Sequence, residues 1–147
     1  MPEGAESNVR EALDADAVRL RSLLRQLGYE VTAGHVDRVL AARGASHEIF
    51  VAVVSGAGVV GLVEAIVPAP TLADDVRCEA TALVVEDEFR SCGIGAALMA
   101  RAEAWGRERG CARLRVRSNV VRERAHTFYE RLGYGRVKAQ QVYEKPL

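Results

Sequence analysis

The architecture of this chain follows from one segment, Val84-Val85-Glu86-Asp87-Glu88-Phe89-Arg90-Ser91-Cys92-Gly93-Ile94-Gly95-Ala96-Ala97-Leu98. The pattern predicts an apolar strand, a charged turn, a glycine-containing loop and the start of a helix. Such a helix start presents several backbone N–H groups together, and the helix dipole favours an anion there. Gly93 and Gly95 have no side chain, so a ligand phosphate can approach the backbone. An ordinary strand-to-helix connection is the alternative, because isolated glycine patterns are weak signals.

Two common nucleotide-binding motifs do not fit this segment. A Walker loop needs Lys-Ser/Thr after its last glycine, whereas Ala96-Ala97 follow Gly95. A Rossmann fingerprint needs Gly or Ala at the position of Leu98. It also needs an acidic residue about 20 residues further on, where the next predicted strand ends at Ser118-Asn119. Both motifs are therefore excluded.

Composition is typical of a soluble globular domain. The chain has 147 residues, of which 49% are hydrophobic and 27% charged, enough for one core. We expect one domain over residues 1–147, with residues 1–6 as a flexible N-terminus. Lys plus Arg equals Asp plus Glu at 20 each. No global field favours nucleic acid or an anionic membrane, and we expect neither as a partner.

Apolar runs and cysteines indicate the compartment. No apolar run approaches the roughly 20 residues that a bilayer needs, and the N-terminus lacks the regions of a signal peptide. We therefore expect a cytoplasmic protein. Cys78, Cys92 and Cys111 are odd in number and lack metal-ligand spacing, so neither a disulfide framework nor a metal site is expected. A thiol at a helix N-terminus, such as Cys92, can have a lowered pKa, although a small loop residue is the simpler interpretation.

Hydrophobic periodicity and turn residues predict the other elements. We expect a strand at residues 7–11 and a helix that Asp14 or Asp16 caps and Gly28 ends. Thr32 should cap a second helix. The further strands are expected at residues 49–54, 59–67, 77–85 and 112–118, followed by a closing hairpin of residues 134–138 and 141–144.

The strand at residues 77–85 carries an unusual carboxylate. Strict alternation places one set of side chains on one face and the other set opposite: Glu79, Thr81, Leu83 and Val85 against Cys78, Ala80, Ala82 and Val84. Glu79 is a charge in a strand that is otherwise small or apolar after Arg77. Such a group is usually paired, at a sheet edge, or functional. An ion pair with Arg77 and a catalytic role both stay open.

A second pattern begins at Ser118-Asn119 and continues through Arg124-Ala125-His126-Thr127-Phe128-Tyr129-Glu130-Arg131-Leu132-Gly133-Tyr134. Its apolar residues recur at helical spacing, and Gly133 suits the position after a helix end. Taken alone, this helix has a simple explanation as an aromatic-rich core face.

Together, the two patterns resemble the signatures of the GCN5-related N-acetyltransferase (GNAT) family. The acyl-CoA loop of that family, Q/R-x-x-G-x-G/A, matches Arg90-Ser91-Cys92-Gly93-Ile94-Gly95, and N…A-x-x-F-Y-x-x-x-G-[FY] matches the second pattern. The resemblance runs from about Ser7 to the C-terminus. Ser91-Cys92 stands where the family often has glycine, lysine or arginine.

The resemblance implies an α/β fold of α+β type, a single domain with a mixed, V-shaped sheet and helices on both faces. It implies acetyl-CoA as co-substrate and acetyl transfer to the primary amine of a small molecule. A protein or peptide acetyltransferase and a non-catalytic acyl-CoA sensor are the alternatives. A homodimer is open.

The resemblance also implies residue roles. Arg90, Ser91, Cys92, Gly93, Ile94, Gly95 and Ala96 would hold the pyrophosphate, and backbone N–H groups of Leu83, Val84 and Val85 would polarise the thioester carbonyl. Asn119 would steady the pantetheine arm, and Tyr129 would protonate the departing thiolate. Glu79 is the candidate base, because a primary amine with a pKa near about 10.4 is protonated at neutral pH.

Overall fold

A five-stranded sheet with strands in sequence order forms the framework. The computed structural model describes residues 6–118 and 123–147. The strands are β1 (Ser7–Glu11), β2 (His47–Val54), β3 (Gly58–Ile66), β4 (Cys78–Val85) and β5 (Leu114–Val116). The helices are α1 (Ala17–Gln26), α2 (Ala33–Ala41), α3 (Ile94–Glu108) and α4 (Glu123–Arg131), with 3-10 turns at Asp14–Asp16 and Asp87–Phe89.

The sheet is mixed, and its last strand pair is short. The pairs β1–β2, β2–β3 and β3–β4 are antiparallel, whereas β4 and β5 run parallel and are joined through α3. A parallel pair needs such a crossover. The pairing covers only Cys78–Ala80 against Leu114–Val116, so the predicted strand at residues 112–118 is shorter than expected. Beyond Ala80, no described strand pairs with this edge of β4.

Helices cover both faces of the sheet. Helices α1 and α2 pack their leucines and valines against Ile49, Val51, Leu62 and Val84 on one face. Helix α3 lies on the other face, where a Cβ at Gly61 would lie 3.2 Å from Leu98 Cδ1. The predicted fold class is therefore confirmed.

Helix ends follow local signals with one exception. Thr32 Oγ1 accepts the His35 N–H at 3.0 Å and caps α2, as predicted. Gly28 adopts a positive φ of 87° after α1, and its N–H donates to Arg25 O, also as predicted. Asp16 occupies the N-cap position of α1, as predicted, but its side chain makes no capping hydrogen bond there. The Asp16 carboxylate instead accepts from the N–H of Leu13 and from Arg10, and the Arg10 hydrogen bond is the main cause of the lowered pKa of Asp16.

A β-bulge in β4 makes the predicted strict alternation wrong. Glu64 of β3 pairs with Ala82, while Ala65 pairs with Ala80, so Thr81 is the extra residue. Thr81 and Ala82 consequently line the same groove, although alternation would place them on opposite faces. A bulge depends on the pairing of two strands, which the pattern of one strand does not reveal.

The chain forms two compact units, Met1–Val116 and Arg117–Leu147. The first contains the sheet and α1 to α3, and the second contains α4. In the second unit, Tyr134 N–H donates to Tyr129 O and Gly133 has a φ of 93°, so Gly133 ends α4 as predicted. In the described part of the chain, no helix is long and apolar enough to cross a membrane.

The predicted closing hairpin is wrong. Residues 134–147 form neither helix nor strand. Val137, Val142 and Tyr143 are 82%, 86% and 85% exposed, so these side chains bury little apolar surface. A two-stranded hairpin without such burial is marginally stable at best in water.

Candidate active site

The junction between β4 and α3 has an unusual backbone. Ser91 has a φ of 61° and Gly93 a φ of 81°, both in the left-handed region. Gly93 occupies the N-cap position of α3 and offers no side chain to cap it. The first intrahelical donor is Ala97, whose N–H lies 3.0 Å from Gly93 O. The N–H groups of Ile94, Gly95 and Ala96 therefore have no intrahelical acceptor.

The side chains of this loop hold the turn. Arg90 donates to Val85 O at 3.2 Å and pairs with Asp87 at 3.0 Å, so its guanidinium folds back over the 3-10 turn. Phe89 is buried and fixes the turn to the core. Ser91 and Cys92 are exposed, and Cys92 Sγ donates to Arg90 O at 3.4 Å. The loop thus presents backbone rather than aliphatic side chains.

The edge of β4 has a definite pattern of N–H directions. Glu86 N–H donates to Val60 O at 2.8 Å, toward β3. Because successive N–H groups of a strand alternate, Val84 also points toward β3, whereas Leu83 and Val85 point toward the opposite edge. Val85 O accepts a hydrogen bond from Arg90 Nε, which agrees with this direction. Leu83 and Val85 are therefore the donors of this edge.

Arg19 connects this junction to α1. Its Nε donates to Val59 O at 2.7 Å, and its Nη2 is paired with Glu86 at the end of β4. Sequence analysis did not single out Arg19, because a pair 67 residues apart leaves no local signal. This pair holds the end of β4 and the beginning of the loop.

Glu79 lies in a buried ion-pair network. Arg77 Nη2 and Nε lie 2.8 and 3.1 Å from Glu79 Oε1, and both residues are less than 9% exposed. Arg77 Nη1 also lies 3.2 Å from Asp74 Oδ2, which Arg115 contacts at 3.0 Å. The pair with Arg77 that the sequence left open is thus present, and Asp74 and Arg115 extend it.

A groove lies between the helices α1 and α2 and the sheet, with a volume of about 190 Å³. Aliphatic side chains form most of its walls, including Leu24, Val36, Val39 and Leu62, and Tyr29 lies at its rim. Glu64 and Thr81 also line it. We call it the α1–α2 groove. Sequence analysis missed Glu64, although it is a carboxylate in an apolar strand, the same signal that drew attention to Glu79.

Tyr129 belongs to the second unit. Its ring makes edge contacts with Phe128 and Tyr134, at centroid distances of 5.2 and 5.9 Å. Asn119 lies outside the described residues. The structure therefore groups the loop, the β4 edge and Glu79 in one unit, and describes Tyr129 in the other.

Comparison with known proteins identifies the family. A family model described as the Acetyltransferase (GNAT) family matches residues 17–134, which include both sequence patterns. The chain belongs to the GNAT acetyltransferase family. Membership confirms the predicted enzyme class, an N-acetyltransferase, and acetyl-CoA as its co-substrate. A search of curated proteins found no sequence match.

Solved structures of GNAT proteins share the fold. The aminoglycoside N-acetyltransferase AAC(6')-Iy in complex with CoA has a TM-score of 0.85 at 18% identity, covering 100% of this chain and 99% of that one. AAC(6')-Ih from Acinetobacter baumannii has a TM-score of 0.84 at 14% identity, with coverages of 97% and 99%. Glucosamine-6-phosphate N-acetyltransferase from Arabidopsis thaliana has a TM-score of 0.80 at 19% identity, with coverages of 95% and 98%. At sequence identities of 14% to 19%, the similarity to these structures shows that the chain shares their fold.

Proposed function

We propose that this enzyme transfers the acetyl group of acetyl-CoA to the primary amine of a small molecule. The observation that carries the proposal is a helix start with free N–H groups directly after a strand edge that no described strand pairs beyond Ala80. An apolar groove opens beside the same strand. The aminoglycoside and glucosamine-6-phosphate acetyltransferases among the similar structures support a small-molecule acceptor.

The residues present fit acetyl-CoA, which supplies an activated acetyl group when it is bound. The N–H groups at Gly93, Ile94, Gly95 and Ala96 suit a pyrophosphate, because they are backbone donors at the positive end of a helix. Arg90, Ser91 and Cys92 are exposed and precede these donors in the loop, so they form the surface that the pyrophosphate would approach. Asn119 remains part of the proposed cofactor site by family resemblance.

The edge of β4 suits the acyl end of the co-substrate. We assign Leu83 and Val85 as its N–H donors, because the Val84 N–H is directed to β3. Donors fixed in a strand need no reorganisation when negative charge develops on an oxygen, which is the basis of oxyanion stabilisation.

The two candidate catalytic side chains receive different support. Tyr129 keeps its proposed role as the acid that protonates the departing thiolate, because phenol and thiol pKa values of about 10 and 8.5 are close enough for transfer. Glu79 accepts two hydrogen bonds from Arg77. A carboxylate held in this way already has a cationic partner inside the fold. This contact favours the structural alternative for Glu79.

The compartment is part of the proposal. Cys78, Cys92 and Cys111 are free thiols. Free thiols are usual in the reducing cytoplasm, where disulfides are rare. We therefore propose a cytoplasmic location.

The test of the cofactor site is the variant Gly95→Val, with Ala100→Val as its control in an exposed position of the same helix. A side chain at residue 95 should obstruct the approach of the pyrophosphate to the backbone. We expect the calorimetric Kd for acetyl-CoA to rise at least about tenfold, or roughly 1.4 kcal/mol, in Gly95→Val only. Equal affinities of the two folded variants would remove this loop from the site.

A further inference from the structure

The α1–α2 groove combines mostly aliphatic walls with one acid, and Tyr29, His35 and Thr81 are its other polar side chains. Among the described side chains that line it, Glu64 is the only carboxylate, and no arginine or lysine lines it. The Glu64 side chain is 28% exposed, so it is partly withdrawn from water. A partly buried charge costs free energy unless an opposite charge or hydrogen bonds compensate it.

The partners of Glu64 differ from those of the other partly buried carboxylates. Each of those lies against an arginine in the structure: Asp16 against Arg10, Glu48 against Arg43, Asp74 against Arg77, Glu79 against Arg77, Glu86 against Arg19 and Glu103 against Arg107. Glu64 Oε1 accepts from Thr81 Oγ1 at 2.7 Å, and Oε2 lies 2.8 Å from His47 Nε2. Within residues 6–118 and 123–147, Glu64 thus has no permanently charged partner.

These contacts orient the carboxylate. His47, at the beginning of β2, and Thr81, the bulge residue of β4, hold the two oxygens from both neighbouring strands. Thr81 lies two residues before Leu83, whose N–H belongs to the β4 edge described above. Glu64 is therefore fixed in the groove near the strand where the acetyl group is proposed to lie.

From this arrangement we infer that Glu64 binds and deprotonates the acceptor amine, and that the acceptor is a primary amine on an apolar body. This inference rests on the acetyltransferase function proposed above. The ammonium group supplies the permanent positive charge that no described residue places against Glu64. His47 and Thr81 are positioning residues.

The proton balance is simple. One N–H bond of the ammonium breaks, and its proton forms an O–H bond on Glu64, which leaves a lone pair on the nitrogen for attack. After product release, Glu64 returns the proton to water.

The walls determine the class of acceptor. A polyhydroxylated amine exposes many donors and acceptors, and each one that enters an apolar groove unpaired costs free energy. The aliphatic side chains of α1 and α2 cannot pair with them. An alkyl or aryl chain is instead favourable there, and Tyr29, 53% exposed, offers an aromatic face at the rim. The acceptor class therefore differs from the amino sugars named for the similar structures.

The first experiment compares acceptors with the full-length wild-type protein. Phenylethylamine, hexylamine, kanamycin and glucosamine 6-phosphate are tested by steady-state kinetics, and their binding in the presence of CoA is measured by calorimetry. We expect kcat/KM for the two apolar amines to exceed that for both amino sugars at least about 100-fold. A preference for an amino sugar in kinetics or binding would overturn the inference while leaving acetyl transfer intact.

The second experiment tests Glu64 itself. Glu64→Gln should lower kcat/KM for phenylethylamine about 10²–10⁴-fold at pH 7 without changing the Kd for acetyl-CoA. The loss should shrink toward pH 10, where the amine is neutral without a base. Among the described residues, the other titratable side chains that line the groove are His35 and Tyr29, and His47 contacts Glu64 itself, so His47→Asn is measured in the same pH series.

Glu48→Gln is the matched control, because it changes a carboxylate of the neighbouring strand β2 that has an arginine partner and does not line the groove. We expect Glu48→Gln to leave the pH–rate profile unchanged, and we measure Glu79→Gln beside it as the rival assignment of the base. A normal rate in Glu64→Gln, or the pH-dependent loss in Glu79→Gln instead, would refute the role of Glu64. Failure of the wild type to bind acetyl-CoA would count against the proposed function itself.

Discussion

Glu64 and Glu79 show how the partner of a side chain sets its chemistry. Both are carboxylates in apolar strands of the same sheet. Arg77 donates two hydrogen bonds to Glu79, which makes Glu79 part of a buried ion-pair network. Glu64 has a hydroxyl and an imidazole instead, and its groove has room for a cation. The difference at the residue scale is therefore the presence or absence of a guanidinium.

Tyr129 is the second residue whose role can be measured directly. Tyr129→Phe should lower the single-turnover rate about 10²-fold or more, because the hydroxyl is needed when the thiolate departs. The Kd for acetyl-CoA should change much less. Tyr143→Phe, which alters an 85% exposed tyrosine of the same unit, is the control. If both variants react within about twofold of the wild type, Tyr129 is a packing residue.

Helix α3 shows the contribution of an element. It forms the parallel crossover from β4 to β5, and its start supplies the free N–H groups of the loop. Its two ends carry glycines with nearly the same conformation: Gly93 before the first turn, with a φ of 81°, and Gly110 after the last, with a φ of 77°. Among the described residues, a Cβ at either position would meet no atom within 4 Å beyond its chain neighbours.

Because Gly93 and Gly110 have nearly the same conformation, substituting each in turn distinguishes an effect on helix stability from an effect on acetyl-CoA binding. Gly93→Ala and Gly110→Ala should each lose roughly 1–2 kcal/mol of folding free energy, because an L-residue is strained at positive φ. Only Gly93→Ala should also weaken acetyl-CoA binding, since it alone moves the donors at the start of α3. Denaturant unfolding and calorimetry measure the two effects. Equal loss of affinity in both variants would mean that helix stability, and not loop geometry, controls binding.

At the scale of the whole molecule, the packing of the fold controls which thiols can react. Cys92 is exposed in the loop, whereas Cys78 and Cys111 are buried. Burial raises the pKa of Cys78 to about 11, so its reactive thiolate is scarce at neutral pH. A Cβ at Gly106 would lie 2.4 Å from Cys78 Sγ, which shows how closely α3 covers this thiol.

We therefore expect one fast and two slow thiols when the native protein reacts with Ellman's reagent at pH 8. Cys92 should react first and be protected by acetyl-CoA, whereas Cys78 and Cys111 should react only as the fold opens. Mass spectrometry of the labelled peptides identifies each site, and Cys92→Ser removes the fast phase. Rapid labelling of Cys78 in the folded protein would contradict the packing described here.

Local features of the chain were readable before the structure because they depend on a few neighbouring residues. The cap at Thr32, the positive φ of Gly28 and the strand–loop–helix junction around Gly93 depend on backbone geometry within a turn or two. The same holds for the Gly133 helix end. The resemblance to the GNAT family predicted the fold and the co-substrate.

Only the tertiary structure decided the partners of the charged groups and the extent of pairing. Arg19 reaches Glu86 across 67 positions of sequence, and Arg77 bridges Asp74 and Glu79, so no local pattern announces these ion pairs. The bulge at Thr81 depends on the register of two strands. The predicted hairpin at residues 134–147 is absent for a related reason. A strand forms only where a neighbouring strand and buried surface stabilise it, and the local sequence pattern shows neither.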